Sequence, residues 1–417
     1  MEQELDLVIL NAIIYCSWAL FYLHRKGFSI ITFPMVLWAA SSMASVYYFT
    51  SEFKTHTLHD KISLIPYLYL FFLVWIAFIP LIKLNYKIIE KVYVNSVLFK
   101  YISILIIILS VVTIVPNTKY FISHMLDPTA FLDAYEDKNR GAQQIVTGFA
   151  VPAMNLLKHM KGLIPLFLIM SFTTLVKVKN WIRVGLGLAL INLFLHYLDT
   201  SSRYALLTDL LLIIFVFFLL YPFIKKSSRK VINVIGLFML VLLLGGVFMI
   251  TFSRIGESEE SKYIYFNLCL YFGESFTNFN GDLWNITSFT DGNNCFKYFL
   301  NRFSDGGGAG RDIDLLEALS HRRMFVFYTF IGDFFVDFGA TITAMIIIFL
   351  SWLFTTVTRM DSEISFGKLL FLCLYVKVLF VGYTYWTYLN YSMEIVFTIL
   401  FGLLFDITYN VKKRKLV

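Results

Sequence analysis

Apolar runs of about 20 residues recur along this chain, and that length constrains the fold more than any motif does. An α-helix rises 1.5 Å per residue, so about 20 residues cross a hydrocarbon layer of roughly 30 Å with every backbone polar group paired inside the segment. Runs such as LLLIIFVFFLLY (210–221) do not alternate in polarity, which excludes a transmembrane β-barrel built from alternating strands. Of the 417 residues, 58% are hydrophobic, and the mean hydropathy is +0.71. The fold class is an all-α polytopic membrane protein.

Eleven spans are expected, at about 5–23, 28–49, 63–82, 99–115, 159–176, 181–198, 204–224, 230–250, 332–356, 366–383 and 388–408. The net charge of +7 is not a nucleic-acid signature, because the basic residues cluster between spans. His24-Arg25-Lys26, the lysines 83, 87, 91 and 100, the group Lys177, Lys179 and Arg183, the group Lys225 to Lys230, and Lys412 to Lys415 fall on alternate connections. The positive-inside rule puts these in the cytoplasm, so the N-terminus faces outward and the C-terminal tail inward. The first residues, MEQELDLVIL, lack a basic n-region, and no cleaved signal peptide is expected.

The chain accordingly divides into 1–250, carrying eight spans and an outer interfacial segment near 116–158; 251–331, a large extracytoplasmic loop; and 332–417, three spans and a basic tail. Long connections are usually functional or disordered. The aromatics of this one, from Tyr263 to Trp284, favour a folded cap on the bundle. Cys269 and Cys295 lie in it, and a disulfide between them is open if that side is oxidising.

Charge inside or beside a span is costly and is a functional hypothesis by default. Arg203 begins span seven in TSSRYALLTD, after Ser201 and Ser202, and Arg254 closes span eight on the same side. The plain reading is an interfacial arginine with its head in water. The functional reading is an anion clamp at a helix start, where unpaired N–H groups already favour negative charge. Lys377 and Glu394 lie at similar depth in the last two spans and are expected to meet as a structural brace, with a site role open. Asp333 and Asp337 stand four residues apart on one helix face.

In the loop, Gly306-Gly307-Gly308-Ala309-Gly310 precedes Arg311-Asp312-Ile313-Asp314. No P-loop lysine follows, which excludes a Walker site and leaves a hinge. The Asp-Ile-Asp spacing is similar to the carboxylate pair with which many glycosyltransferases hold a divalent ion. His124, His159 and His321 have no ligand-like spacing, and a zinc site is not expected. His321, in ALSHRRM beside two arginines, is the titrating group nearest this face.

Eleven spans, SSRYALL at the start of a mid-chain helix, a second arginine at the next outer helix end, a large loop before three last spans, and TFIGDFFVDFGATITAM after it together resemble the bacterial oligosaccharide repeat-unit polymerases, the Wzy-type enzymes of O-antigen and capsule assembly. The O-antigen ligases share this plan. The resemblance implies a GT-C-like bundle, a metal-independent glycosyltransferase with no cofactor, and an active site on the periplasmic face of the bacterial inner membrane. Its partners would be undecaprenyl-diphosphate-linked donor and acceptor oligosaccharides and membrane lipid, with a chain-length regulator left open and no nucleic acid. The growing glycan would move to the non-reducing end of a new unit as undecaprenyl diphosphate leaves. By that resemblance Arg203, Arg254 and Arg311, with Ser202, bind the diphosphate, and His321, Asp333 or Glu274 is the general base. The Asp-Ile-Asp pair departs from a metal-free mechanism. A ligase, a flippase for lipid-linked oligosaccharides and a membrane O-acetyltransferase are the competing readings; a flippase would need midplane polar sites and broken helices.

Overall fold

The computed structural model describes residues 2–51, 61–126, 148–199, 203–230, 232–234, 236–237, 241, 245, 264–296, 313–324, 327–389 and 392–414. Apolar runs become helices because only a helix satisfies its own backbone without water. In chain order these are α1 (Glu2–Lys26), α2 (Thr32–Thr50), α3 (Leu64–Ile82), α4 (Ser96–Leu126), α5 (Ala150–His159), α6 (Leu163–Ser171), α7 (Asn180–Asp199) and α8 (Arg203–Leu220). There follow α9 (Ile264–Asn278), which continues into one π-helical turn at Phe279–Leu283, then α10 (Ile313–Ser320), α11 (Thr329–Val357), α12 (Phe366–Val381) and α13 (Ser392–Arg414). Two three-residue strands, β1 (Lys91–Tyr93) and β2 (Glu363–Ser365), pair in parallel.

Among the described residues seven helices are long and apolar enough to cross a membrane, and the pair α5 and α6, bent by 77°, makes eight if it is one broken span. The chain is therefore a multi-pass, predominantly helical membrane protein. Three of the eleven expected spans are not among these eight. α2 is diluted by Ser41, Ser42 and Ser45, α12 has only 16 residues, and 230–250 lies mostly outside the described residues. The fifth expected span, 159–176, is displaced: the chain breaks at Met160–Gly162, between two short helices that share the length of one crossing.

The chain forms two compact units, each assembled from separated stretches, so they cut across the segments 1–250, 251–331 and 332–417. The first comprises 1–84, 263–359 and 375–392. In it α2 packs along both α1 and α9, and α3 packs along α11. Trp38 is fully buried at the centre, meeting Tyr15, Phe78, Phe276, Phe330 and Tyr383 and donating its indole N–H to the Leu379 carbonyl at 2.8 Å.

α9 reaches α2 closely because both present small residues at the crossing. A Cβ on Gly273 would stand 2.5 Å from the Ala44 carbonyl carbon and oxygen, and the Ser41 hydroxyl bonds the Phe272 carbonyl. Phe272 to Leu283, which the sequence assigns to the long loop, is helical and packed within the first unit. Small faces let backbones approach in a helix bundle, and apolar periodicity does not register them.

The second unit comprises 85–262, 360–374 and 393–417. α4 packs along α7 through a buried polar ladder, in which Asn117 Nδ2 donates to Asn192 Oδ1 at 2.8 Å and Asn192 Nδ2 donates to Thr113 Oγ1 at 2.7 Å. Phe99, Phe167, Phe366 and Phe405 form its aromatic core. The strand pair lies in this unit, where the Ser365 hydroxyl bonds Asp406 of α13.

Candidate functional site

In the first unit, α9, its π-helical turn and the first turns of α11 bury four carboxylates, Glu274, Asp282, Asp333 and Asp337. A buried carboxylate needs hydrogen-bond donors, and here most of the donors come from connecting segments. Glu274 Oε1 accepts the Phe327 N–H at 3.1 Å, and Asn278 Nδ2 donates to the Phe327 carbonyl at 3.3 Å. The Tyr328 hydroxyl contacts both Asp282 and the Arg323 carbonyl. Asp333 accepts from Trp386 N–H at 2.6 Å and from Asn294 Nδ2 at 3.0 Å. Asp337 accepts from Asn294 N–H at 2.9 Å, Cys295 N–H at 2.8 Å and the Thr290 hydroxyl.

These bonds separate the three candidate bases. Both oxygens of Asp333 hold backbone or amide donors, and the side chain is 1% exposed, so its evident work is to fix 294 and 386 against α11. Glu274 is also buried, and burial pushes its carboxyl up to about 8 against the opposing pull of the Phe327 and Asn278 hydrogen bonds. That shift favours the protonated form of Glu274. His321 is exposed, and its backbone closes α10 by donating N–H to the Glu317 carbonyl at 2.8 Å in a left-handed conformation, φ 53°. Such a position usually falls to glycine or asparagine. Cys295 is buried, and the side chain of Cys269, its suggested disulfide partner, lies outside the described residues. Among the described residues no group of three or more His, Cys, Asp or Glu side chains could hold a metal ion. Asp314 is exposed on α10, and Asp312 lies outside the described residues.

The second unit carries the arginine that the sequence singles out. Arg203 is the first residue of α8; its side chain, together with Ser202 and Arg254, lies outside the described residues, as does Arg311 of the first unit. The buried Tyr197 of α7 donates its hydroxyl to Asp209 Oδ2 of α8 at 2.7 Å. Lys161, in the break between α5 and α6, has its ammonium 5.9 Å from the centre of the Tyr197 ring. It also stands 3.7 Å from Glu394 Oε2 at the start of α13.

Glu394 thus has an ion-pair partner that the sequence reading did not suggest. Lys377, the partner that the sequence suggests, is buried in α12. Lys161 was missed because the sequence counts it as one polar residue near the start of a span. Its available signal was the HMKG tetrapeptide, with glycine beside lysine between two apolar runs.

The apolar helices of spanning length, with buried carboxylates organising the connections of the first unit, define a multi-pass helical membrane protein. No protein-family model, no curated protein and no solved structure matches this chain.

Proposed function

We propose that this protein is a polysaccharide polymerase of the bacterial inner membrane, joining oligosaccharide repeat units carried on undecaprenyl diphosphate. The observation that carries the reading is an arginine, Arg203, as the first residue of the long apolar helix α8, in the unit where Tyr197 of α7 meets both Asp209 of α8 and Lys161. A guanidinium at a helix start suits a departing diphosphate, because its planar fork and the helix N–H groups both favour phosphate oxygens. Transition-state charge would be stabilised by preorganised cations on the extracytoplasmic side. His321 is the preferred base, since it is exposed while Asp333 and Glu274 are buried and hydrogen-bonded to backbone groups.

The test is incubation of the purified protein with a defined lipid-linked repeat unit. A ladder of products supports the polymerase, and a single transfer to a different acceptor supports the ligase alternative. A second reading, a flippase for the same lipids, draws support from the bent α5 and α6 pair, because transporters bind substrates where helices are interrupted. Movement of labelled lipid-linked oligosaccharide across proteoliposomes without any ladder would favour it.

A further inference from the structure

We propose that Glu317 is a positioning residue for His321: its carboxylate closes the turn after α10 and holds the imidazole outward, where a substrate hydroxyl can reach it. The inference rests on the reading of His321 as the general base.

The turn is an arch between two buried footings. Leu316 and Ser320, one helical turn apart on α10, are buried, and Met324 is buried again, while His321 and Arg323 between them are exposed. The arch is tight. His321 takes a left-handed conformation, φ 53°, which a Cβ makes unfavourable and which glycine would adopt freely. Histidine in that place lowers the stability of the turn, and such outliers point to work done by the side chain.

Side chains hold the arch shut. Ser320 donates its hydroxyl to the Leu316 carbonyl at 2.7 Å and accepts the Arg322 N–H at 3.3 Å. The peptide joining Arg323 to Met324 is gripped at both ends. Glu317 Oε1 accepts its N–H at 2.9 Å, and the Tyr328 hydroxyl, which also meets Asp282, bonds its carbonyl. Tyr328 thereby ties the arch to the π-helical turn, and Glu317 ties it to α10.

Glu317 spans His321 most directly. Its backbone carbonyl accepts the His321 N–H at 2.8 Å, and its carboxylate reaches the residue three positions beyond. One residue therefore fixes the backbone on both sides of the imidazole. A hydrogen bond from an amide to a carboxylate is charge-assisted and stronger than a neutral one. A rigid mount matters for a base, because misplacement by about 1 Å costs roughly 100-fold in rate.

The experiment measures polymer synthesis by the purified full-length chain on a defined lipid-linked repeat unit, with kcat and KM separated. Glu317→Ala, and Glu317→Asp with its shorter arm, should each lower kcat about 10- to 100-fold and leave KM unchanged, the mark of an interaction made only in the transition state. Glu317→Gln keeps the accepting oxygen and should keep most of the rate. Hydrogen exchange followed by mass spectrometry reads the arch itself. The 321–324 amides should exchange about tenfold faster in Glu317→Ala and at the wild-type rate in Glu317→Gln.

Wild-type kcat in Glu317→Ala overturns the proposal even where the arch loosens, because the glutamate then serves the fold alone. A lower kcat without faster exchange overturns the arch as its cause. An inactive Glu317→Gln overturns it by making Glu317 the proton acceptor, and His321→Gln at full rate does so by taking the imidazole out of the chemistry. A wild type that makes no ladder removes the polymerase reading and this inference with it, whereas equal ladders from wild type and Glu317→Ala remove the inference alone.

Discussion

Asn280 grips the backbone of Ser63 at both ends: its Nδ2 donates to the Ser63 carbonyl at 2.7 Å, and its Oδ1 accepts the Ser63 N–H at 3.0 Å. The amide acts as a strand would, satisfying the peptide that leads into α3 from the π-helical turn after α9. Such turns often mark functional positions, and Asn280 is part of this one. Asn280→Ala leaves both Ser63 groups without these partners. It is expected to destabilise the protein by about 1–3 kcal/mol, read as a lower midpoint of thermal unfolding in detergent; an unshifted midpoint would show the clasp to be idle.

Gly273→Ala tests the close approach of α9 to α2. The added methyl meets backbone, which has no rotamer to give, so overpacking of about 1–3 kcal/mol is expected. Gly187→Ala on α7, with open space at its Cβ, is the matched control and should be neutral. Equal unfolding midpoints for the two variants would mean that the contact is slack.

Asp337 gathers two consecutive amides and a hydroxyl from 290–295, and Cys295 lies 2% exposed beneath that wrap. Asp337→Ala should loosen it and raise the rate at which a maleimide labels Cys295 by about tenfold or more, corresponding to over 1.4 kcal/mol of lost protection. Labelling as slow as in the wild type would place the anchorage elsewhere.

Glu274 gives a pH signature with a definite sign. Its carboxyl titrates near 4.5 in an unfolded chain and about 8 in the fold. Below about pH 4.5 both states hold the proton and its contribution is fully present. As the pH rises from there to about 8, only the unfolded chain releases the proton, so stability falls through that window. Glu274→Gln cannot titrate, and its unfolding midpoint should fall less than the wild type's between pH 5 and pH 8. Parallel curves would contradict the buried, protonated state.

For Arg203, the polymerase reading expects Arg203→Ala to lower polymer synthesis by about 100- to 1,000-fold while the protein still inserts. Arg203→Lys, which keeps the charge and loses the fork, should not restore the full rate. A normal ladder from Arg203→Ala would withdraw this arginine from the diphosphate.

Helix class and membrane residence were legible from residue order, since an apolar run of spanning length has one way to pair its backbone. So were Arg203 at a helix start and the buried Asp333 and Asp337 on α11. What Asp333 does was not legible, because its partners Asn294 and Trp386 are 39 and 53 residues away. The insertion of α9 was hidden for a related reason: Gly273 and Ser41 look polar or small in isolation and become a packing surface only when opposed.

The sequence by itself determined the material of this protein, apolar helices with basic connections, because those properties depend on each segment and its solvent. Only the tertiary structure decided that Glu394 meets Lys161 across a broken span, that Asn280 clasps Ser63, and that four acids hold the connecting segments of one unit. Such pairings depend on distances between residues far apart in the chain, and a charge carries no mark in its own neighbourhood of the partner it will find.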